Sequence, residues 1–170
     1  MTNTPTATPD PTMEAISRAI LLGRDGDTES ARRDLLSIWS QIGVTGDPFH
    51  RCTLAHYLAD LYENPAEALI WDVRALDAAG ALTDERAQQH HASLQVVGFY
   101  PSLYLNIADN LRRLSAFDAA TEHINNAGQH ASALSEDTYG DTIRTAISEV
   151  AQAIENRDTE RRASAPGAVQ

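Results

Sequence analysis

The 170-residue chain contains no lysine; all 13 basic residues are arginines. A phosphate-binding loop of the lysine type, a lysine Schiff base and a lysine general base are therefore excluded. The single cysteine, Cys52, excludes an internal disulfide framework and any cysteine-based zinc cluster within one chain. No apolar run approaches the length that spans a bilayer, and the polar opening MTNTPTATPDPT does not read as a signal peptide, so a cytoplasmic location is expected. Positive charge is in deficit, with a net charge of −11, which disfavours nucleic acid and anionic lipid as partners. The HExxH, GxSxG and GxGxxG patterns are absent too, so neither catalysis nor a bound cofactor is expected. Period-two runs are missing, alanine is abundant, and glycine and proline gather at boundaries. These features predict an all-α protein.

The most informative stretch is Phe99–Gly128. Tyr104, Ile107, Ala108 and Leu111 fall at i, i+3, i+4 and i+7, the stripe of a helix with one buried face. Pro101 suits a first helical turn, where its missing N–H costs nothing. Ala119, Ala120, His123, Ile124 and Ala127 form a second stripe after a short break at Leu114–Phe117. So short a break forces the two helices to turn back on one another. Alanine at Ala108 and Ala120 lets the two backbones approach closely.

A large residue at Tyr104, the pair Ile107–Ala108, Leu111, then Ala120 and Ile124 resemble the pattern of the tetratricopeptide repeats. The closing proline of that pattern is absent, with Ser132 near its place. Weaker copies lie upstream. Asp10-Pro11 reads as a cap and first position of a helix to about Leu22, and Asp27 caps a second one to Ile42. Ala19 and Ala31 then stand as far apart as Ala108 and Ala120, while Arg18 departs from the pattern. Asp47-Pro48 opens a third helix to about Tyr62 and Asn64-Pro65 a fourth to about Ala79, with Ala55 and Ala68 as the small pair. Asp72 stands where an apolar residue belongs, and Trp71 is expected to fill the space after a small rotation.

Ala31 and Ala68 are 37 residues apart, close to the family period of about 34. Ala68 and Ala120 are 52 apart, which leaves room for an inserted short helix near 83–93, with Thr83 as its cap. Thr138–Asn156 completes the chain as an amphipathic capping helix with Ile143, Ile147, Val150 and Ile154 on one side. The resemblance implies a right-handed stack of three antiparallel hairpins with one inserted helix and a C-terminal cap. A single domain over 10–156 is expected between disordered tails at 1–9 and 157–170.

By the same resemblance, the first helix of each hairpin lines a concave groove. The face beside each core stripe carries Met13, Ser17, Ile20 and Arg24 in the first unit. It carries Phe49, Thr53, His56 and Asp60 in the second, and Ser102, Asn106, Asp109 and Arg113 in the third. The expected ligand is a protein or peptide segment. Asn106 and Arg113 resemble residues with which some members of the family hold a terminal carboxylate, but Asp60 and Asp109 stand where more positive charge is wanted. A polar face with pairs such as His56–Asp109 or Asp60–Arg113 is the simpler account. Two alternatives stay open. One is a self-associating homodimer, motivated by Met13 and Phe49 at the groove end and by the inserted helix. The other is a metal-dependent enzyme or small-molecule site around His50, Cys52 and His56, since Cys52 and His56 lie one helical turn apart. Trp39, Trp71, Phe99, Tyr100 and Tyr104 suit wedges between layers better than a ligand cage.

Overall fold

A computed structural model describes residues 9–91 and 93–164; of the tails expected at 1–9 and 157–170, residues 1–8 and 165–170 lie outside the described residues. Among the described residues the chain is all-helical, with no strand. The elements are α1 (Pro11–Arg24), α2 (Thr28–Ile42), α3 (Pro48–Ala59), α4 (Pro65–Gly80), α5 (Asp84–His90), α6 (Tyr100–Arg113), α7 (Phe117–His130) and α8 (Thr138–Glu155). Short 3-10 turns at Val96–Gly98 and Ala131–Ala133 join α5 to α6 and α7 to α8.

The starts follow from local chemistry. The side chain of Asp10 accepts from the N–H of Met13, that of Asp27 from Ser30, and that of Asp47 from Phe49 and His50. Asn64 serves Ala66, Thr83 serves Arg86 and Asp137 serves Gly140 in the same way. Each bond satisfies an amide that a helix leaves unpaired at its first turn. The inserted helix is shorter than the sequence predicts, and α3 stops three residues before Tyr62. Between α6 and α7 the chain reverses through Ser115 at φ 61°, with Ala116 N–H on the Leu111 carbonyl and Ser115 N–H on Arg112. This is the left-handed helix stop that glycine usually provides.

Helices pack in sequence pairs, α1 on α2, α3 on α4 and α6 on α7, and the pairs adjoin through α2 on α3, α4 on α6 and α7 on α8. The small residues Ala19, Ala31, Ala55, Ala68, Ala108 and Ala120 are all buried. One core cluster runs through α1–α4 and takes in Ala87 of α5 and Leu103 of α6. A second joins Leu105, Ala108, Ala120 and Ile124 to Val150 and Ile154 of α8. Trp39 and Trp71 meet edge to face at 5.1 Å, with Arg74 over Trp71, so both indoles serve packing between helices. Tyr104 lies against His123 and His130 with the rings tilted, at 5.9 and 5.5 Å.

Two expectations need correction. Trp71 does not displace Asp72: both are buried, and Asp72 is 1% exposed. The described part of the C-terminal segment is not a free tail, because Asp158, Arg161 and Arg162 lie against the body of the protein. The cause is at the end of α8, where Arg157 takes φ 51° and Asp158 N–H bonds the Ala153 carbonyl. That stop turns the chain back.

Candidate functional site

The groove stripe divides into two parts. Met13, Ser17, Ile20 and Arg24 of α1, Phe49, Thr53 and His56 of α3, and Ser102 of α6 line one open cavity of about 790 Å³. Further walls come from segments that the repeat pattern does not describe: Leu94 and Gln95 after α5, and Leu134 and Tyr139 before and at the start of α8. The cavity floor is mixed, with apolar side chains beside the Thr53 and Ser102 hydroxyls. His56 lies here, and its Nδ1 is buried with no hydrogen-bond partner among the described residues.

Asp60, Asn106, Asp109 and Arg113 fall in a second, small cavity of about 40 Å³ together with Asp72, Asn110, Arg161 and Arg162. Asn110 Nδ2 donates to Asp72 at 2.8 Å and Asn106 Nδ2 donates to its other oxygen at 3.4 Å. Burial pushes the Asp72 carboxyl well above the usual carboxylate range, and the charge of Asp60 adds to this against the two amide bonds. Burial raises Asp60 as well, opposed by His56 and Arg161. Burial disfavours the charged form of Asp72, and the two amide bonds from Asn106 and Asn110 of α6 satisfy its oxygens inside the protein.

The simple pairs expected across the groove are not formed. Asp109 binds Arg112 at 2.6 Å and Arg162 at 3.4 Å rather than His56. Arg113 donates to the backbone carbonyl of Glu63 rather than to Asp60. In the sequence Asp72 is a misfit on an otherwise apolar face, and that misfit is the signal of this polar site. Arg112 gave no such signal.

The three residues of the metal alternative are not brought together as ligands. His50 Nε2 lies 2.7 Å from Asp10, and the Arg86 guanidinium lies 3.2 Å from the same nitrogen, a cation where a metal would need none. Burial pushes the Cys52 thiol up to about 12, far from a ready thiolate. Among the described residues no group of three His, Cys, Asp or Glu side chains is placed to hold a metal ion. The motive for self-association also weakens, since Met13 and Phe49 are buried. Phe49 is covered by α5, with His90 at 5.2 Å and Arg86 at 5.1 Å from its ring.

Arg86 explains how α5 is fixed. Its Nε donates to Asp47 at 2.8 Å and its Nη2 to Asp10 at 3.1 Å, the capping residues of α3 and α1. In the sequence Arg86 stands where a capping-box glutamate would serve Thr83; it serves two other caps instead. Burial raises both carboxyls, but bonds from His50, Met13 N–H and Arg86 hold Asp10 below the ordinary value. Arg86 and His50 N–H do the same for Asp47.

Comparison with protein-family models, with curated proteins and with solved structures finds no match to this chain. Among the described residues no helix is long and apolar enough to cross a membrane.

Proposed function

We propose that the helix pairs are tetratricopeptide-like antiparallel hairpins stacked right-handedly, and that the chain is a binding module that takes a segment of another protein into the groove without catalysis. The observation that carries this is the 790 Å³ cavity, lined along its length by α1, α3 and α6, the first helices of the three pairs. Two features support a peptide as the occupant. Apolar side chains and the hydroxyls of Ser17, Thr53 and Ser102 both line the cavity, the two kinds of group that a peptide's side chains and backbone use. His56 lines the cavity, and its Nδ1, closed off from solvent, has no partner among the described residues, so a turn of the ring on binding would give it one.

The test is selection from a random peptide display on the full chain, followed by affinity measurement on Thr53→Trp, which fills the cavity. Selected peptides should lose at least about tenfold in affinity, roughly 1.4 kcal/mol. They should keep their affinity for Ile70→Ser, an exposed position outside the groove. Equal binding to Thr53→Trp and to the unaltered chain would overturn the proposal.

A further inference from the structure

We propose that the segment from Arg157 to Ser164 is a built-in competitor for the lower half of the groove, and that the partner it holds off is an arginine-bearing protein segment. The identity of that partner rests on the groove as a peptide site; the competition itself does not.

Three observations converge. The stop at the end of α8 sends the chain back toward α6, where Arg112 Nη1 holds the Asp158 carbonyl at 2.6 Å. Arg161 and Arg162 then line the small cavity with Asp60, Asp72 and Asp109. Arg162 is anchored on both sides: its Nε lies 3.4 Å from Asp109 and its Nη1 2.9 Å from Glu149 of α8, while Ser164 Oγ also donates to Glu149.

The chemistry of the cavity selects the occupant. A guanidinium has five donors and no acceptor. The floor offers three carboxyl groups, and the amide oxygens of Asn106 and Asn110 are not used in binding Asp72. Without the strap, Asp109 keeps Arg112 but loses Arg162, and Glu149 loses the Arg162 guanidinium. A planar guanidinium can take the vacated places on Asp109 and Glu149, which a carboxylate ligand cannot.

The strap is also built to open. Its residues bury no large apolar side chain, and the Arg162–Glu149 pair, exposed on the Glu149 side, is open to salt and competition, while the Arg162–Asp109 pair is the buried anchor. The same helices, α3 and α6, line both cavities, so a segment running the length of the groove must displace the strap. A short tether gives the strap an effective concentration on the order of millimolar, enough to mask a modest partner and to yield to a stronger one.

The test uses the full chain carrying Arg161→Ala and Arg162→Ala, with the unaltered chain beside it. The probe is the synthetic peptide Asp-Thr-Glu-Arg-Arg-Ala-Ser, the sequence of residues 158–164, and a control peptide has both arginines replaced by alanine. Binding is read from the side-chain amide NMR signals of Asn106 and Asn110. The arginine peptide should bind the variant at least about tenfold more tightly than the unaltered chain. The control peptide should bind neither, and adding Asp60→Asn to the variant should weaken binding. Thr53→Trp, which blocks the other cavity, should leave it unchanged, so failure here is distinct from failure of the upper groove. A peptide display on the variant should enrich arginine. Equal affinity for both chains, equal affinity for both peptides, no binding to the variant, or selection without arginine would each overturn the proposal. Arg161→Gln with Arg162→Gln is run in parallel and decides the matter if the alanine pair unfolds.

Discussion

Arg112 is fully buried, and its Nε and Nη2 both donate to one oxygen of Asp109, at 3.0 and 2.6 Å. A buried guanidinium can persist only with such a partner, because its desolvation is not otherwise offset. Asp109→Ala should therefore destabilise the protein by about 3–5 kcal/mol in urea unfolding. Adding Arg112→Met should restore part of that loss, since the stranded cation is then gone. A cost under about 1 kcal/mol for Asp109→Ala would mean that Arg112 is compensated by its other contacts.

The second prediction concerns the clamp on α5. Arg86→Ala removes bonds to Asp10 and Asp47 and the contact with the Phe49 ring. The expected cost is about 1.5–3 kcal/mol, the range for hydrogen bonds to charged groups. The pH dependence has a definite sign. Asp10 and Asp47 are held below 3.8 in the folded state. Their contribution is therefore complete above the unfolded value of 3.8 and is lost as pH falls through the lowered folded values. Thermal unfolding across the acid range should show a shallower fall for Arg86→Ala. Parallel curves would show that the clamp does not set these acidities.

Asp72 has the opposite sign. Its folded pKa is raised well above 3.8 by burial. Its contribution is complete below 3.8 and is lost as pH rises through the raised folded value, because the unfolded chain ionises first. Asp72→Asn keeps an acceptor for one of Asn106 and Asn110 and never ionises. It should gain stability relative to the parent as pH rises from 3.8 toward neutrality, with the two proteins closest in acid. If the difference between them is constant with pH, Asp72 is ionised in the folded protein.

Ser115 occupies a left-handed conformation that a side chain disfavours by roughly 1–2 kcal/mol. Ser115→Gly should stabilise the α6–α7 turn by about 1 kcal/mol net of the greater freedom of glycine in the unfolded chain. Chemical denaturation would show it as a higher midpoint with an unchanged slope. A lower midpoint would show that the Ser115 side chain contributes more than the strain costs.

Much of the helical layout was legible because it is local. A carboxyl or amide followed by proline marks the starts of α1, α3 and α4, since the cap needs only amides two or three residues away. The recurring alanines were legible for a similar reason: close backbone approach tolerates nothing larger. The groove face of α1, α3 and α6 followed from helical spacing, yet its division into an open half and a half occupied by Arg161 and Arg162 did not. That division depends on the stop at Arg157, a left-handed arginine with no glycine to announce it.

The sequence by itself determined where helices begin, which faces are apolar, and which chemistries lack the residues they need, because these depend on neighbours within one or two turns. Only the tertiary structure decided the fates of Asp72, Arg86 and Arg112. Asp72 and Arg86 are placed by partners 38 and 39 positions away, and Arg112, paired with Asp109 three residues before it, also takes the Asp158 carbonyl 46 positions away. A carboxyl or guanidinium is misplaced or indispensable according to what the fold brings against it, and no local pattern records that.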